Sequence, residues 1–300
     1  MELIKNPNLN FMGFRKWGYL FSGAMTILSL LLIFVKGPRL GVDFAGGAMI
    51  WVQFQEPLQV GDVRAALSGI GQAQASIQKL GGTNEFVIRS SSKQELNAFA
   101  DAMIRQLAER FPDNPLVLRS KETVEPKISR ELTEKTILAV LIALVLMGIY
   151  VTLRFDFRFG VAAATALLHT ILIAIGALVL TGREFTIPIV GALLTILGYS
   201  INDTIVISDR VRENRKKLRN TPLIEIINTS VNESFSRTIL TGSAVIVTLF
   251  CLFFLGGAVI ADFAFTLIVG FVFGTYATTF VVCALVSDWE LRFPQRRAKK

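Results

Sequence analysis

Six long apolar runs dominate the chain, and each is long enough to cross a bilayer as a helix. A membrane-spanning helix needs roughly 20 predominantly apolar residues. Polar residues are concentrated between the runs, where they predict loops or membrane-surface segments. The predicted spans are 17–35, 136–153, 159–180, 185–208, 237–255 and 262–286.

The segment between the first two runs has the pattern of a soluble α+β domain. A Gly-Gly-Thr-Asn run at 81–84 is typical of a hairpin turn. The order βαββαβ favours a ferredoxin-like domain with both helices on one face of the sheet. Apolar spacing predicts strands at 48–54, 75–80, 85–89 and 116–124, and amphipathic helices at 60–70 and 93–111.

The predicted fold is a polytopic α-helical membrane protein with six transmembrane helices and one α+β (ferredoxin-like βαββαβ) extracytoplasmic domain between the first and second helices. A hydrophobic fraction of 52% and a mean hydropathy of +0.53 exclude an ordinary soluble protein. The formal net charge of +8 could suggest nucleic-acid binding. Because the basic residues fall largely between the apolar runs, membrane orientation explains them better, and no nucleic-acid partner is expected.

The distribution of Lys and Arg predicts the orientation of the spans. With a cytoplasmic N-terminus, 17 of these residues fall on the cytoplasmic side, and Arg183 alone falls in a short loop on the other side. Cytoplasmic loops of membrane proteins carry an excess of Lys and Arg. Both termini are therefore predicted to be cytoplasmic, and the α+β domain to lie outside.

Four parts of the chain follow from these patterns. The alternative for the first run is a cleaved signal peptide, but the run is long and Lys36-Gly37-Pro38 is not a typical cleavage site, so a retained anchor is expected. The parts are 1–36, a cytoplasmic N-terminus and first helix; 37–135, the extracytoplasmic domain with flanking hinges; 136–286, a five-helix bundle with a cytoplasmic basic loop at 209–236, in which 222–236 is predicted to be an interfacial helix; and 287–300, a basic cytoplasmic tail.

The sequence carries no motif for catalysis or for a cofactor. It has no phosphate-binding GxxxxGK[ST] loop, no HExxH pair and no Cys/His cluster. Cys251 and Cys283 lie in apolar runs and are interpreted as small core residues. We therefore expect neither enzymatic activity nor a bound metal.

Asp203 is the candidate functional residue, because it lies within the fourth predicted span. A carboxylate at that depth costs several kcal/mol unless it is paired, hydrated or protonated. Ser200, Asn202 and Thr204 lie in the same turn, and such a polar cluster usually lines a pathway or a helix contact. The alternative is an Asp near a helix end that reaches the lipid headgroups.

Arg237 is the candidate partner of Asp203, at the start of the fifth predicted span. Thr241 follows one turn later on the same face. Arg237 would hold Asp203 ready to release a proton; the alternative is an arginine whose side chain reaches the membrane surface. His169, the single histidine, is expected to be a hydrogen-bonded packing residue rather than a proton relay.

A glycine-rich motif follows the first span: Gly41-Val42-Asp43-Phe44-Ala45-Gly46-Gly47. Three glycines in seven residues predict a tight turn or a close backbone approach. Gly41, Asp43, Gly46 and Gly47 are therefore candidate hinge residues, on which the α+β domain would move as one body.

This motif and the run Gly198-Tyr199-Ser200-Ile201-Asn202-Asp203-Thr204 through Asp209-Arg210-Val211-Arg212-Glu213-Asn214 closely resemble the SecF family. The resemblance covers nearly the whole chain; the second motif is specific, and the first is shared with SecD and other resistance-nodulation-division (RND) transporters. Before the second span the family usually has Val-Gly-Pro, whereas this chain has Val124-Glu125-Pro126. The hinge flexibility attributed to that glycine is therefore not implied for this chain.

The resemblance implies an accessory subunit of the Sec protein translocase in the bacterial inner membrane. With a SecD-like partner it would use the proton-motive force to promote late steps of preprotein export. Implied partners are the SecYEG channel with its SecA motor, YajC, YidC and the unfolded preprotein. Proton-pathway roles transfer to Asp203, Arg237 and Thr241.

Two other functions are compatible with the pattern. An RND exporter of drugs or lipids normally carries two six-span halves in one chain, whereas this chain has one. A non-transporting scaffold for the channel would not need Asp203.

Overall fold

The computed structural model describes residues 8–80, 84–90 and 96–293. Residues 81–83 of the predicted hairpin turn at 81–84 and residues 294–300 of the basic tail therefore lie outside the described residues. In chain order the elements are α1 (Arg15–Val35), β1 (Arg39–Leu40), α2 (Val42–Ala45), β2 (Gly47–Phe54), α3 (Val60–Ser68), β3 (Ser76–Lys79), β4 (Glu85–Ser90), α4 (Leu96–Arg110), β5 (Leu116–Val124), α5 (Pro126–Arg154), α6 (Phe157–Thr181), β6 (Glu184–Phe185), α7 (Ile187–Lys217), α8 (Leu223–Leu255), α9 (Gly257–Ala277), a π-helical segment (Thr278–Cys283) and α10 (Ala284–Arg292).

Six helices in the described part of the chain are long and apolar enough to cross a membrane, as predicted. They are α1, α5, α6, α7, α8 and the continuous run from α9 through the π-helical segment to α10. A protein with this many apolar helices is a polytopic membrane protein.

Helices α6 and α7 form the centre of the bundle. In their most apolar windows 61% and 56% of the residues are buried, against 6% in α5 and 11% in α8. The exposed faces of α5 and α8 carry large apolar side chains, including Leu138, Leu146, Val247 and Phe254. Such faces suit contact with lipid, and α7 packs against α9, α6 and α8 inside the bundle.

The α+β domain contains a four-stranded antiparallel sheet in the order β3-β4-β2-β5. In β2, buried and partly buried residues alternate, as the sequence pattern predicts. Helices α3 and α4 cover one face of the sheet and bury a separate apolar core that includes Ile50, Val52, Phe86, Leu67 and Met103. The strand and helix bounds differ from the predicted ones by a few residues.

The bundle has two distinct ends. The domain end is the end at which β1 pairs with β6, next to the α+β domain. The opposite end carries the ion pairs Arg15–Asp288 and Arg158–Glu290, which join the start of α1 and the start of α6 to α10. Residues of α7 therefore run from the domain end at Ile187 to the opposite end at Lys217.

Most of the predicted basic loop at 209–236 is helical, including 209–217, for which no helix was predicted. Helix α7 continues to Lys217, and α8 begins at Leu223, which leaves a short turn between them. The predicted separate interfacial helix is the first part of α8. Its predicted apolar face is buried, but against the bundle: Ile226, Ile227, Ser230 and Val231 are at most 1% exposed. No glycine or proline interrupts 223–241, so nothing in the sequence stops the helix at 236.

Helix α5 also begins earlier than the predicted span. It starts at Pro126, ten residues before the predicted start at 136. Those residues had been assigned to the α+β domain. They form a helical extension of the second span, so the strand β5 leads almost directly into a membrane helix.

Candidate functional site

Asp203 is buried in the middle of the bundle, on the face of α7 that packs against α9. It is 5% exposed. Its Oδ2 accepts a hydrogen bond from Thr275 Oγ1 at 3.1 Å, across 72 residues of sequence. The position deep in the protein differs from that of an Asp at a helix end, which would be exposed to the membrane surface.

Further hydroxyl groups surround the contact between α7 and α9. Thr204 Oγ1 lies 3.2 Å from the Ser200 carbonyl oxygen and 3.2 Å from Thr278 Oγ1. A Cβ on Gly274 would lie 3.1 Å from Ser200 Oγ, so the two helices approach closely here. Thr278 begins the π-helical segment, and π-helical turns are frequent at functional sites.

Arg237 and Thr241 lie on an exposed part of α8, and neither touches Asp203 directly. Among the described residues Arg237 forms no ion pair. Thr241 Oγ1 donates to the Arg237 carbonyl oxygen at 2.9 Å, within its own helix. The hydrogen-bond partner of the Asp203 carboxylate is Thr275, not Arg237.

A polar cavity of about 410 Å³ separates α7 and α8 beyond Asp203, toward the opposite end of the bundle. Arg237 lines it together with Arg210 and Glu233. Glu233 Oε2 accepts hydrogen bonds from Arg210 Nε and Asn214 Nδ2, both at 2.6 Å. These bonds join α7 and α8 one turn before Arg237. They form a polar boundary on that side of the cavity.

Helix α7 also has an exposed stripe that faces away from Asp203. Gly191, Thr195, Gly198 and Asn202 are exposed at spacings of three or four residues. A Cβ on Gly191 or Gly198 would meet open space. Asn202 is therefore outside the buried cluster, and the stripe is a surface on which another helix could lie closely.

His169 lies buried in α6, as a packing residue would. Contrary to the expectation, neither ring nitrogen has a hydrogen-bond partner among the described residues. The two cysteines are free; Cys283 is buried as predicted, whereas Cys251 is exposed on α8 and is not a core residue.

The glycine-rich motif lies at the domain end, where it contacts the start of α7. The Gly41 backbone N donates to the Phe185 carbonyl oxygen at 2.9 Å, and Asp43 Oδ2 accepts from the Ile187 backbone N at 2.9 Å. Gly46 and Gly47 have φ values of 73° and 141°, a region that favours glycine. The tight turn and close approach are present; the hinge motion stays a prediction.

Sequence reasoning missed the partners of Asp203 on the sixth span. A signal was available in Gly274-Thr275-Tyr276-Ala277-Thr278-Thr279, a small and polar run inside an apolar helix. Such a run is the counterpart of the polar turn around Asp203. Glu233 was missed because the helix around it had been interpreted as an interfacial helix at the membrane surface, whereas it is the first part of α8 and packs against α7.

The chain matches known protein families over most of its length. Residues 105–292 match the family described as "Protein export membrane protein SecD/SecF, C-terminal", and residues 31–57 match the "SecD/SecF GG Motif". The protein translocase subunit SecF of Calditerrivibrio nitroreducens is 38% identical over 291 residues, which cover 95% of this chain and 96% of that protein. The SecDF subunit of Thermus thermophilus is 36% identical over 304 residues, covering 99% of this chain and 40% of that longer protein.

Two solved structures have the same fold. The crystal structure of SecDF from Thermus, titled a translocon-associated membrane protein, matches with a TM-score of 0.85 at 37% identity. SecDF in a super-membrane-facing form matches with a TM-score of 0.74 at 36% identity. Each match covers 97% of this chain and 40% of the SecDF chain.

Proposed function

This chain belongs to the SecF family of protein-export membrane subunits, and from that membership we propose that it promotes late steps of preprotein export by using the proton-motive force together with a SecD-like partner. The observation that carries the proton-driven part is Asp203, an acid buried inside a membrane helix bundle of an export family. Without a charged partner in direct contact, a buried carboxylate is costly when ionised. Asp203 is therefore suited to take up and release a proton.

Rearrangement of the bundle would follow from this change in charge. A protonated Asp203 no longer attracts Arg237, so α7 and α8 can separate. Deprotonation restores the attraction.

The exposed stripe of α7 and the exposed Arg237 of α8 support a membrane partner. Arg237 is costly against lipid, whereas a SecD-like half could cover it with polar groups or water. Gly191 and Gly198 would permit close helix packing. SecDF chains, which are longer and contain a region like this one, favour a SecD-like half as that partner.

We further propose an extracytoplasmic position for the α+β domain and a bacterial inner-membrane location. The strand order β3-β4-β2-β5 supports a ferredoxin-like topology. Because that topology does not itself imply a function, the proposed role of the domain in binding and transmission rests on the lack of a catalytic motif in its sequence. SecYEG with SecA, YajC, YidC and the unfolded preprotein are the proposed further partners. One half of an RND exporter for small molecules or lipids is the alternative, and the translocase names of the relatives do not favour it.

The proposed orientation predicts which positions a membrane-impermeant thiol reagent reaches in intact cells. In a variant without Cys251 and Cys283, a single cysteine at Asn84 or Arg183 should be labelled from outside. A cysteine at Lys216 should be labelled only after the membrane is opened. Labelling of Lys216→Cys in intact cells would contradict the proposed orientation and indicate the opposite one.

Co-purification and export together test the function. The chain should bring down a SecD-like chain from membranes, and vesicles that contain it should export a preprotein faster when a proton gradient is imposed. An export rate that does not change when the gradient is imposed would contradict the proton-driven mechanism. Gradient-driven efflux of a small molecule or lipid without any effect on export would favour the exporter alternative.

A further inference from the structure

The N-terminus of helix α7, which carries Asp203, is capped by a residue next to the α+β domain. The residue before it, Thr186, makes no side-chain hydrogen bond to the first turn. Instead, Asp43 Oδ2 accepts a hydrogen bond from the Ile187 backbone N at 2.9 Å. The first turn of a helix has unpaired N–H groups and a partial positive charge, so a carboxylate there is favourable. Asp43 supplies it from 144 residues away in the sequence.

The segment around Asp43 is fixed to the same loop by several other contacts. Strand β1 pairs in parallel with β6, directly before α7. The rings of Phe44 and Phe185 lie 5.3 Å apart. A Cβ on Gly41 would lie 2.7 Å from Thr186 Cγ2, so the two segments approach closely here. Gly47 then begins β2, a central strand of the sheet.

The other central strand is bound to this loop as well. Arg89 of β4 forms an ion pair with Glu184 of β6, with 3.2 Å between Nη1 and Oε2. The two side chains are 10% and 17% exposed, so the pair is largely shielded from solvent. Ser76 of β3 donates a hydrogen bond to Glu184. Strands β2, β3 and β4 are thus all linked to the residues from which α7 starts.

We propose that the Asp43 cap and the Arg89–Glu184 pair make α7 a rigid transmission element, so that the α+β domain moves as one body with α7. Asp203 lies 16 residues after Ile187, about 24 Å along the helix. The inference rests on the proposed function for the cause of the movement, which is the change in charge at Asp203. In this inference the glycine-rich motif does not bend as a hinge. It forms a fixed contact between the α+β domain and α7.

A disulfide between positions 41 and 186 distinguishes a fixed contact at this position from a hinge. The Cβ position at Gly41 lies 3.7 Å from Thr186 Cβ, and disulfides have Cβ separations of about 3.8 Å. In a chain with Cys251→Ser and Cys283→Ala, Gly41→Cys with Thr186→Cys should retain gradient-driven export to within about twofold between its oxidised and reduced forms. Loss of stimulation on oxidation, with recovery on reduction, would instead establish a hinge at this contact.

Breaking the cap provides a second test with a structural readout. Asp43→Ala should raise the hydrogen-exchange rate of the first-turn amides of α7 about fivefold, the factor that corresponds to about 1 kcal/mol for a lost cap. It should also reduce the gradient-dependent part of export severalfold. Asp43→Asn keeps an acceptor oxygen and should retain most of both properties.

The matched control is Asp62, which caps α3 within the α+β domain. Its Oδ2 accepts from the Gln59 backbone N at 3.1 Å, away from α7. Asp62→Ala should leave exchange in α7 and the response to the gradient unchanged. If the unaltered protein ignores the gradient, the proposed function fails, whereas the exchange result still reports on the cap. If the unaltered protein responds and Asp43→Ala responds equally, the transmission role of Asp43 is overturned.

Discussion

Asp203→Asn is expected to abolish the stimulation of preprotein export by a proton gradient, while the amount of protein in the membrane stays unchanged. The asparagine has nearly the same shape and can still accept a hydrogen bond from Thr275, so α7 and α9 should pack as before. It cannot change its charge, which is the property that the proposed mechanism requires. The measurement is translocation of a preprotein into inverted vesicles with and without an imposed gradient.

The expected size of the effect follows from the energy available to one charge. Moving an elementary charge across the membrane gains about 2.3 kcal/mol per 100 mV. With 1.36 kcal/mol for each factor of ten, this corresponds to a change of about 50-fold in a two-state equilibrium. Loss of the titrating group should therefore bring export close to the rate measured without a gradient.

Asp209 is a matched control for this variant. It lies on the same helix, six residues later, and forms an ion pair with Arg154 at 3.0 Å between half-exposed side chains. Ion pairs of this kind are worth at most about 1 kcal/mol. Asp209→Asn should therefore respond to the gradient as the unaltered protein does. If Asp203→Asn also responds fully, the proton is carried elsewhere, and the buried His169 or the partner chain becomes the next candidate.

The spans and strands could be predicted from the sequence because local patterns determine them. In lipid, backbone groups must be satisfied within the segment, so apolar runs of this length form helices. Along β2, the alternation of apolar residues places one set of side chains in the domain core. Neither conclusion requires knowledge of the rest of the chain.

The extent of the helices beyond the membrane was harder to predict because polarity was taken as a sign of a loop. At the end of α7, Glu213 pairs with Arg210 and with Lys217, three and four residues away on the same helix. Such pairs stabilise an exposed helix. The charged run was therefore evidence for helix, and its spacing was the available signal.

Contacts between distant segments had no local signal. Thr275 is 72 residues from Asp203, and Asp43 is 144 residues from the helix that it caps. Sequence reasoning looks for a capping residue directly before a helix, where Thr186 stands without a side-chain bond. It could identify Asp43 and Asp203 as unusual residues, but it could not show that one lies at the start of the helix that carries the other.

Replacing Arg237 by methionine is expected to lower gradient-driven export nearly as much as Asp203→Asn, whereas Arg237→Lys should retain part of the stimulation. In the proposed mechanism Arg237 acts on Asp203 through its charge without a direct contact, so a second cation of similar length can substitute partly, although it lacks the planar fork. Methionine replaces the unbranched aliphatic part of the arginine side chain and removes the charge.

Thr241→Val tests the third residue that the family resemblance places in the proton pathway. The Thr241 hydroxyl bonds to backbone oxygens of its own helix at Arg237 and Thr238, so we expect a smaller loss of the gradient response than in Arg237→Met. All variants are measured in the same vesicle assay, with co-purification of the SecD-like partner as the test of assembly. If Arg237→Met assembles and responds normally, Arg237 is a boundary residue whose side chain reaches the membrane surface, and Asp203 titrates without it. If Thr241→Val loses the response while Arg237→Lys keeps it, the hydroxyl belongs to the pathway and the charge of α8 is secondary.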